Sequence, residues 1–165
     1  MTQWLTHHFA LEEFQKGDPI PPECVPIFTM LCEQILEPVR DYFSSALVIT
    51  SGYRSPEENA AAHGQPNSEH MATPTRCAAD FYLEGVIMRA VFDWMRNNPA
   101  LPFHQLIYET DARGGAVIHV SINTELPAGT RSVLTGATHN ASPYQKADYV
   151  AYVPPPAAGE PESEA

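Results

Sequence analysis

The sequence predicts a single compact α+β domain in which a small, mainly antiparallel sheet packs with two main helices. Three observations carry this expectation. Two stretches repeat apolar residues at three- and four-residue spacing, the period of a helix with one buried face. Four short apolar runs bounded by polar or turn-forming residues read as strands. The order is α, β, short α, β, α, β, β, and the last two strands are joined by a loop of hairpin type.

The first helix lies in "PIPPECVPIFTMLCEQILEPVRDYF", where Val25, Phe28, Leu31, Cys32, Ile35, Val39 and Phe43 fall on one face. It should start near Glu23, and Pro38 should kink it or mark a break, because proline lacks the N–H that continues the ladder. "ALVIT" (residues 46–50) is a buried strand by its apolar, β-branched composition. "SGYRSPEENAAA" leaves that strand through a glycine and opens a short helix, with Ser55 as N-cap and Pro56 at the first helical position. "CAADFYL" follows as a strand. "GVIMRAVFDWMRNN" is the second amphipathic helix, with Ile87, Ala90, Val91, Trp94 and Met95 expected inward. "HQLIYE" and "GAVIHVSI" form the hairpin around "TDARGG". From Asn123 the sequence is turn-rich, and "PPPAAGEPESEA" at its end reads as an acidic, proline-rich disordered tail. The expected organisation is therefore one domain over residues 1–153 and a tail over residues 154–165.

Composition narrows the function classes. With 44% hydrophobic and 18% charged residues, the 165-residue chain can close a core of its own. No apolar run approaches the roughly 18 residues of a membrane span. The N-terminus has no basic head followed by an apolar stretch, so no signal peptide is expected and the chain should be cytoplasmic as synthesised. Twenty acidic against nine basic residues, a net charge of −11, is the wrong sign for nonspecific binding to nucleic acid or an anionic membrane. Three cysteines without a CxxC pair point to reduced thiols rather than a disulfide scaffold. A monomer is the expected state.

Three residues stand out chemically. His119 lies inside "AVIHVSI", where alternation puts it on one face with Val117 and Ser121. A core histidine satisfied by one hydrogen bond would explain it alone. Asp80 sits among Ala78, Ala79 and Phe81, a setting in which a carboxylate is costly to bury unless paired or metal-bound. His70 lies in a polar loop ten positions earlier. Two imidazoles and one carboxylate suit zinc and leave a fourth position for water, the arrangement of a catalytic rather than a structural site. Composition permits that reading without requiring it.

"ITSGYRSPEENAAAHGQPNSEH", "AADF" and "QLIYE…VIHVSI", in that order, resemble the M15 peptidases, the zinc D-Ala-D-Ala carboxypeptidases and related phage endolysins. "HFALEEF" and "LCEQILEPVRDYF" are similar to the opening of that family's short single-domain branch, so the likeness runs from about His8 to Ile122. The resemblance implies a hedgehog/D-Ala-D-Ala-peptidase-like fold with His70, Asp80 and His119 as ligands of Zn2+. It implies that Arg54 of "SGYRS" holds substrate carboxylate or carbonyl groups, with Ser51 and Ser68 orienting it or a ligand. A general base is also needed, and Glu109 at the end of "QLIYE" is the candidate, ahead of Asp111 and His104. If Ile107 sits opposite His119, Glu109 shares the histidine's face; if Leu106 does, Glu109 points away.

The implied substrate is a peptide of bacterial cell-wall peptidoglycan, cut as a carboxypeptidase or an endopeptidase. A phage-derived enzyme would act at the wall or in a virion. The sequence departs from the family's SxHxxGxAxD pattern: His70 and Asp80 are ten positions apart instead of seven, and Arg76 stands at the usual glycine. Cys77 adds a thiol beside the site, either a buried side chain or a fourth ligand. The competing reading is a non-catalytic zinc-containing domain, for instance a structural part of a phage tail.

Overall fold

A computed structural model describes residues 1–111, 114–138 and 148–154. Its centre is a six-stranded sheet in the order β1-β2-β4-β3-β5-β6. The strands are β1 (Leu47–Ser51), β2 (Arg76–Leu83), β3 (Gln105–Asp111), β4 (Ala116–Asn123), β5 (Ser132–Thr138) and β6 (Asp148–Ala151). β3 and β5 run parallel, and every other pairing is antiparallel. The expected small, mainly antiparallel sheet and single domain are present.

The helices are α1 (Leu11–Phe14), α2 (Val25–Leu31), α3 (Glu37–Phe43), α4 (Pro56–Ala61) and α5 (Met88–Asn97). α2 and α3 form one helical run, entered through a 3₁₀ turn at Pro22–Cys24 and joined by a π-helical turn over Cys32–Leu36. Pro38 therefore does not break the helix. It has no N–H to offer the carbonyl of Gln34, and the wider turn just before it accommodates the missing bond. α4 starts as its sequence predicts: the Ser55 hydroxyl accepts from Glu58 N at 3.2 Å, and Glu58 Oε2 accepts from Ser55 N at 2.9 Å.

The sheet has two different faces. Phe28, Leu31 and Ile35 from the long helix, and Val91, Phe92 and Met95 from α5, join Ile49, Phe81, Leu106, Ile118 and Val120 in one buried cluster. Residues of the opposite parity, Asp80, His119, Ile107 and Glu109, lie on the other face.

Two expectations need correction. In α5 the inward stripe is Met88, Val91, Phe92 and Met95, while Ile87 is 78% exposed at the N-cap and Ala90 is exposed. A stripe one residue further on keeps the same period and brings the larger Phe92 into the core. The turn-rich stretch after Asn123 also contains two strands, β5 and β6. β5, with glycine and threonines, lacks the apolar run that marks the others; its parallel pairing along β3 holds it. Residues 155–165, most of the expected tail, lie outside the described residues.

Candidate metal and catalytic centre

The site is assembled on the sheet's second face from β1, β2, β3 and β4 and two loops. Asp80 and His119 are direct partners across β2 and β4, and Ile107 of β3 is the next residue in that row. This is the register that brings Glu109 to the face of His119; Glu109 pairs with Val117, one row along. On the other side of Asp80, the β1–β2 pairing slips between Ile49 and Ser51. An extra residue at that point places Ser51, rather than Thr50, opposite Asp80, the re-aiming that a bulge produces. Thr50 instead donates to the Asp80 carbonyl at 3.1 Å.

The chain leaves β1 through Gly52, which passes close to the backbone of Phe14. A Cβ on residue 52 would lie 2.5 Å from the Phe14 carbonyl oxygen, so only glycine allows this approach. Tyr53 N donates to that oxygen at 2.9 Å. The path places the Gly52 carbonyl 2.6 Å from His70 Nδ1 and lets Arg54 N donate to the His70 carbonyl at 3.0 Å. A carbonyl only accepts, so Nδ1 carries the proton and, in the neutral ring, the Nε2 lone pair faces the sheet. Ser68 Oγ accepts from His70 N at 3.3 Å, fixing the same loop from its other side.

Three potential ligand atoms then converge. His70 Nε2 lies 3.1 Å from Asp80 Oδ1 and 3.1 Å from His119 Nδ1, and His119 Nδ1 lies 2.8 Å from Asp80 Oδ1. All three residues are buried, at 4%, 9% and 7% exposure. His119 Nε2 is buried with no hydrogen-bond partner among the described residues, and Nδ1 is the nitrogen that faces the cluster. Ligands at roughly 2.0–2.1 Å around a tetrahedral ion stand about 3.3 Å apart. The observed triangle is slightly contracted from that, and its shortest side is the 2.8 Å between His119 Nδ1 and Asp80 Oδ1. Donor set, burial and spacing fit a divalent metal ion.

Arg54 reaches the same carboxylate. Its guanidinium donates to Ser51 Oγ from Nε at 3.2 Å and from Nη2 at 2.9 Å, and Nη2 lies 3.4 Å from Asp80 Oδ2. Asp80 thus turns one oxygen to the histidines and the other to Arg54. The side chain of Arg54 is a quarter exposed, and it does not pair with Glu57 or Glu58.

The charges shape one another. Burial pushes the pKa of His70 down despite Asp80 beside it. Burial acts the same way on His119, but the hydrogen bond and charge of Asp80 overcome it and raise the pKa. Burial opposes ionisation of Asp80 too, yet the two histidines hold its carboxyl well below the usual carboxylate range. Glu109 moves the other way: burial first, then the negative charge of Asp80, raise it above an ordinary glutamate.

The longer loop between His70 and Asp80 does not separate them. Thr73 and Arg76 close a tight turn through 3.0 and 3.4 Å backbone bonds, and Thr75 is tied to Thr124 and Glu125. The additional residues are taken up there, away from the ligand atoms. Cys77 points to the core face, its Sγ 3.5 Å from the Ile27 carbonyl, with burial holding the thiol protonated. It is a buried thiol and not a fourth ligand. The side chain of Asp111 lies outside the described residues. His104 is occupied by Glu69, with Nδ1 2.9 Å from Oε1.

Two contributors were missed in the sequence. Glu69, 6% exposed, accepts from Asn123 Nδ2 at 2.8 Å as well as engaging His104, which ties the His70 loop to β4 and to the residue just before β3. Its only sequence signal is its place next to His70. Tyr149 of β6 donates from its hydroxyl to Glu109 Oε1 at 2.7 Å. Nothing in its local sequence indicates a partner 40 residues away.

A family model described as Peptidase M15 matches residues 8–121. No curated protein and no solved structure matches the chain.

Proposed function

The chain belongs to the M15 peptidase family, and from that premise we propose that it is a zinc-dependent hydrolase of peptide bonds in bacterial cell-wall peptidoglycan. The observation that carries the reading is the buried triangle of His70 Nε2, Asp80 Oδ1 and His119 Nδ1, with the Glu109 carboxylate on the same face of the sheet.

In this reading His70, Asp80 and His119 hold Zn2+. The ion, when bound, supplies a Lewis acid that acidifies water and polarises the scissile carbonyl. Glu109 is the general base: its carboxylate takes a proton from the attacking water and returns it to the leaving amine. Its raised pKa suits that cycle, because a carboxylate that binds a proton more readily is the stronger base. Arg54, held by Ser51 and partly exposed, presents guanidinium N–H groups to a carboxylate or carbonyl of the peptide. Gly52 and Ser68 orient His70, a role for groups that bind the ligand rather than the metal.

The test is hydrolysis by the zinc-loaded chain of two probes: a synthetic stem peptide ending in D-Ala-D-Ala, and cross-linked peptidoglycan fragments. Cleavage of either, abolished in Glu109→Gln with zinc retained, supports the proposal. Intact products from both, at full zinc occupancy, would overturn it in favour of a non-catalytic zinc domain.

A further inference from the structure

We propose that Tyr149, on the C-terminal edge strand, is a positioning residue that orients the Glu109 carboxylate for proton transfer. The inference rests on the reading of Glu109 as general base and goes beyond it, because β5 and β6 lie outside the stretch that the family model matches, residues 8–121.

The registers define one row across four strands. Val117 of β4 faces Glu109 of β3, Glu109 faces Gly136 of β5, and Gly136 faces Tyr149 of β6. Residues paired in this way point to the same face of a sheet. Glu109 and Tyr149 are thus two strand spacings apart, each roughly 4.8 Å, with only a glycine between them. Having no side chain, Gly136 puts nothing between them in this row, and the Tyr149 hydroxyl donates to Glu109 Oε1 at 2.7 Å. That length is typical of a charge-assisted O–H···O⁻ bond.

The edge strand that carries this hydroxyl is fastened from the opposite face. Tyr152 N donates to the Val133 carbonyl at 3.0 Å. The Tyr152 ring packs against Phe92 of α5 at 5.3 Å, and its hydroxyl accepts from Arg89 Nη2 at 3.0 Å. Arg96 lies over the same ring at 4.6 Å. β6 is therefore anchored to the helix through Tyr152, while Tyr149 is held towards the site. A glutamate side chain has three rotatable bonds, and a fixed donor on one oxygen restricts them before substrate arrives.

Among the described residues, the charged and titratable groups that act most on Glu109 are Asp80 from β2, Tyr149 from β6, His119 from β4 and Arg54 from the loop after β1. Of these, only the Tyr149 hydroxyl is removed cleanly by deleting one oxygen. In zinc-loaded Tyr149→Phe, kcat on the cleaved peptidoglycan probe is expected to fall about tenfold with KM unchanged. The acid limb of the rate profile should move to higher pH, because the lost donor favoured the ionised carboxylate. Gly136→Val, which keeps the tyrosine but puts a side chain in the row between it and Glu109, should reproduce both effects. Carboxyl 13C NMR of Glu109 reads the contact without substrate: its titration should move to higher pH in both variants.

An unchanged Glu109 titration in Tyr149→Phe would overturn the inference whatever the activity. So would unchanged kcat and pH profile in that variant while Glu109→Gln is inactive. An active Glu109→Gln would instead remove the base assignment itself, and the positioning role with it.

Discussion

Asp80 and His119 face each other directly across β2 and β4, with Oδ1 2.8 Å from Nδ1. This pair fixes the site's position on the sheet, because a direct cross-strand partnership leaves neither side chain free to turn to another face. His70, arriving from a loop, is brought to the pair by the Gly52 carbonyl and the Arg54 amide.

Zinc should stabilise the fold through this triangle. At a concentration one hundred times its Kd, a ligand that binds only the native state adds about 2.7 kcal/mol. For a chain of this size that is a Tm rise of roughly 5–10 °C. Calorimetry with and without zinc should show the rise in the wild type and none in His119→Ala or Asp80→Asn. An equal rise in those variants would place the ion elsewhere.

The metal-free chain should show a specific pH dependence. Asp80 has a folded pKa below its unfolded value, so its contribution is present above about pH 4 and is lost as pH falls from there. His119 has a raised folded pKa, so its contribution is present below about pH 6.5 and is lost as pH rises through the folded value. Asp80→Asn should therefore cost most between about pH 4 and pH 6.5, on the order of 3 kcal/mol for a broken buried pair. Urea unfolding in chelator from pH 3 to pH 9 measures the gap; a gap constant over that range would refute the coupling.

Glu69 should act on the metal through the His70 loop. Replacing it with alanine leaves His104 and Asn123 without their shared acceptor and loosens the residue next to a candidate ligand. Zinc affinity should fall about 10–100-fold although none of the three ligand atoms is removed, and stability should drop by about 1–3 kcal/mol. Competition with a chromophoric chelator reads the first effect, and unaltered affinity would reduce Glu69 to a purely structural tie.

Much of this fold is legible because it depends on neighbours in sequence. The Ser55–Pro56 start of α4, the alternation along β4 and the helical period of residues 25–43 are all local. Each can be read from a window of a few residues. The face of α5 lies one residue on from the expected stripe: Val91 and Met95 belong to both, and only packing against the sheet selects Met88 and Phe92 over Ile87 and Ala90. β5 is not legible because SVLTGAT has only Val133 and Leu134 as an apolar pair, and its strand form depends on pairing with β3 and β6.

The sequence by itself determined which chemistry is available: two histidines and an aspartate at the fitting strand and loop positions, an arginine after a buried strand, and a glutamate at a strand end. It left two registers open for Glu109 and said nothing of Tyr149. Only the tertiary structure decided these, by pairing Ile107 with His119 and by setting Gly136 between Glu109 and Tyr149. The physical reason is that a strand carries its own alternation but not its partner's register. The register is chosen by burial of one whole face and by loops that close over long sequence separations.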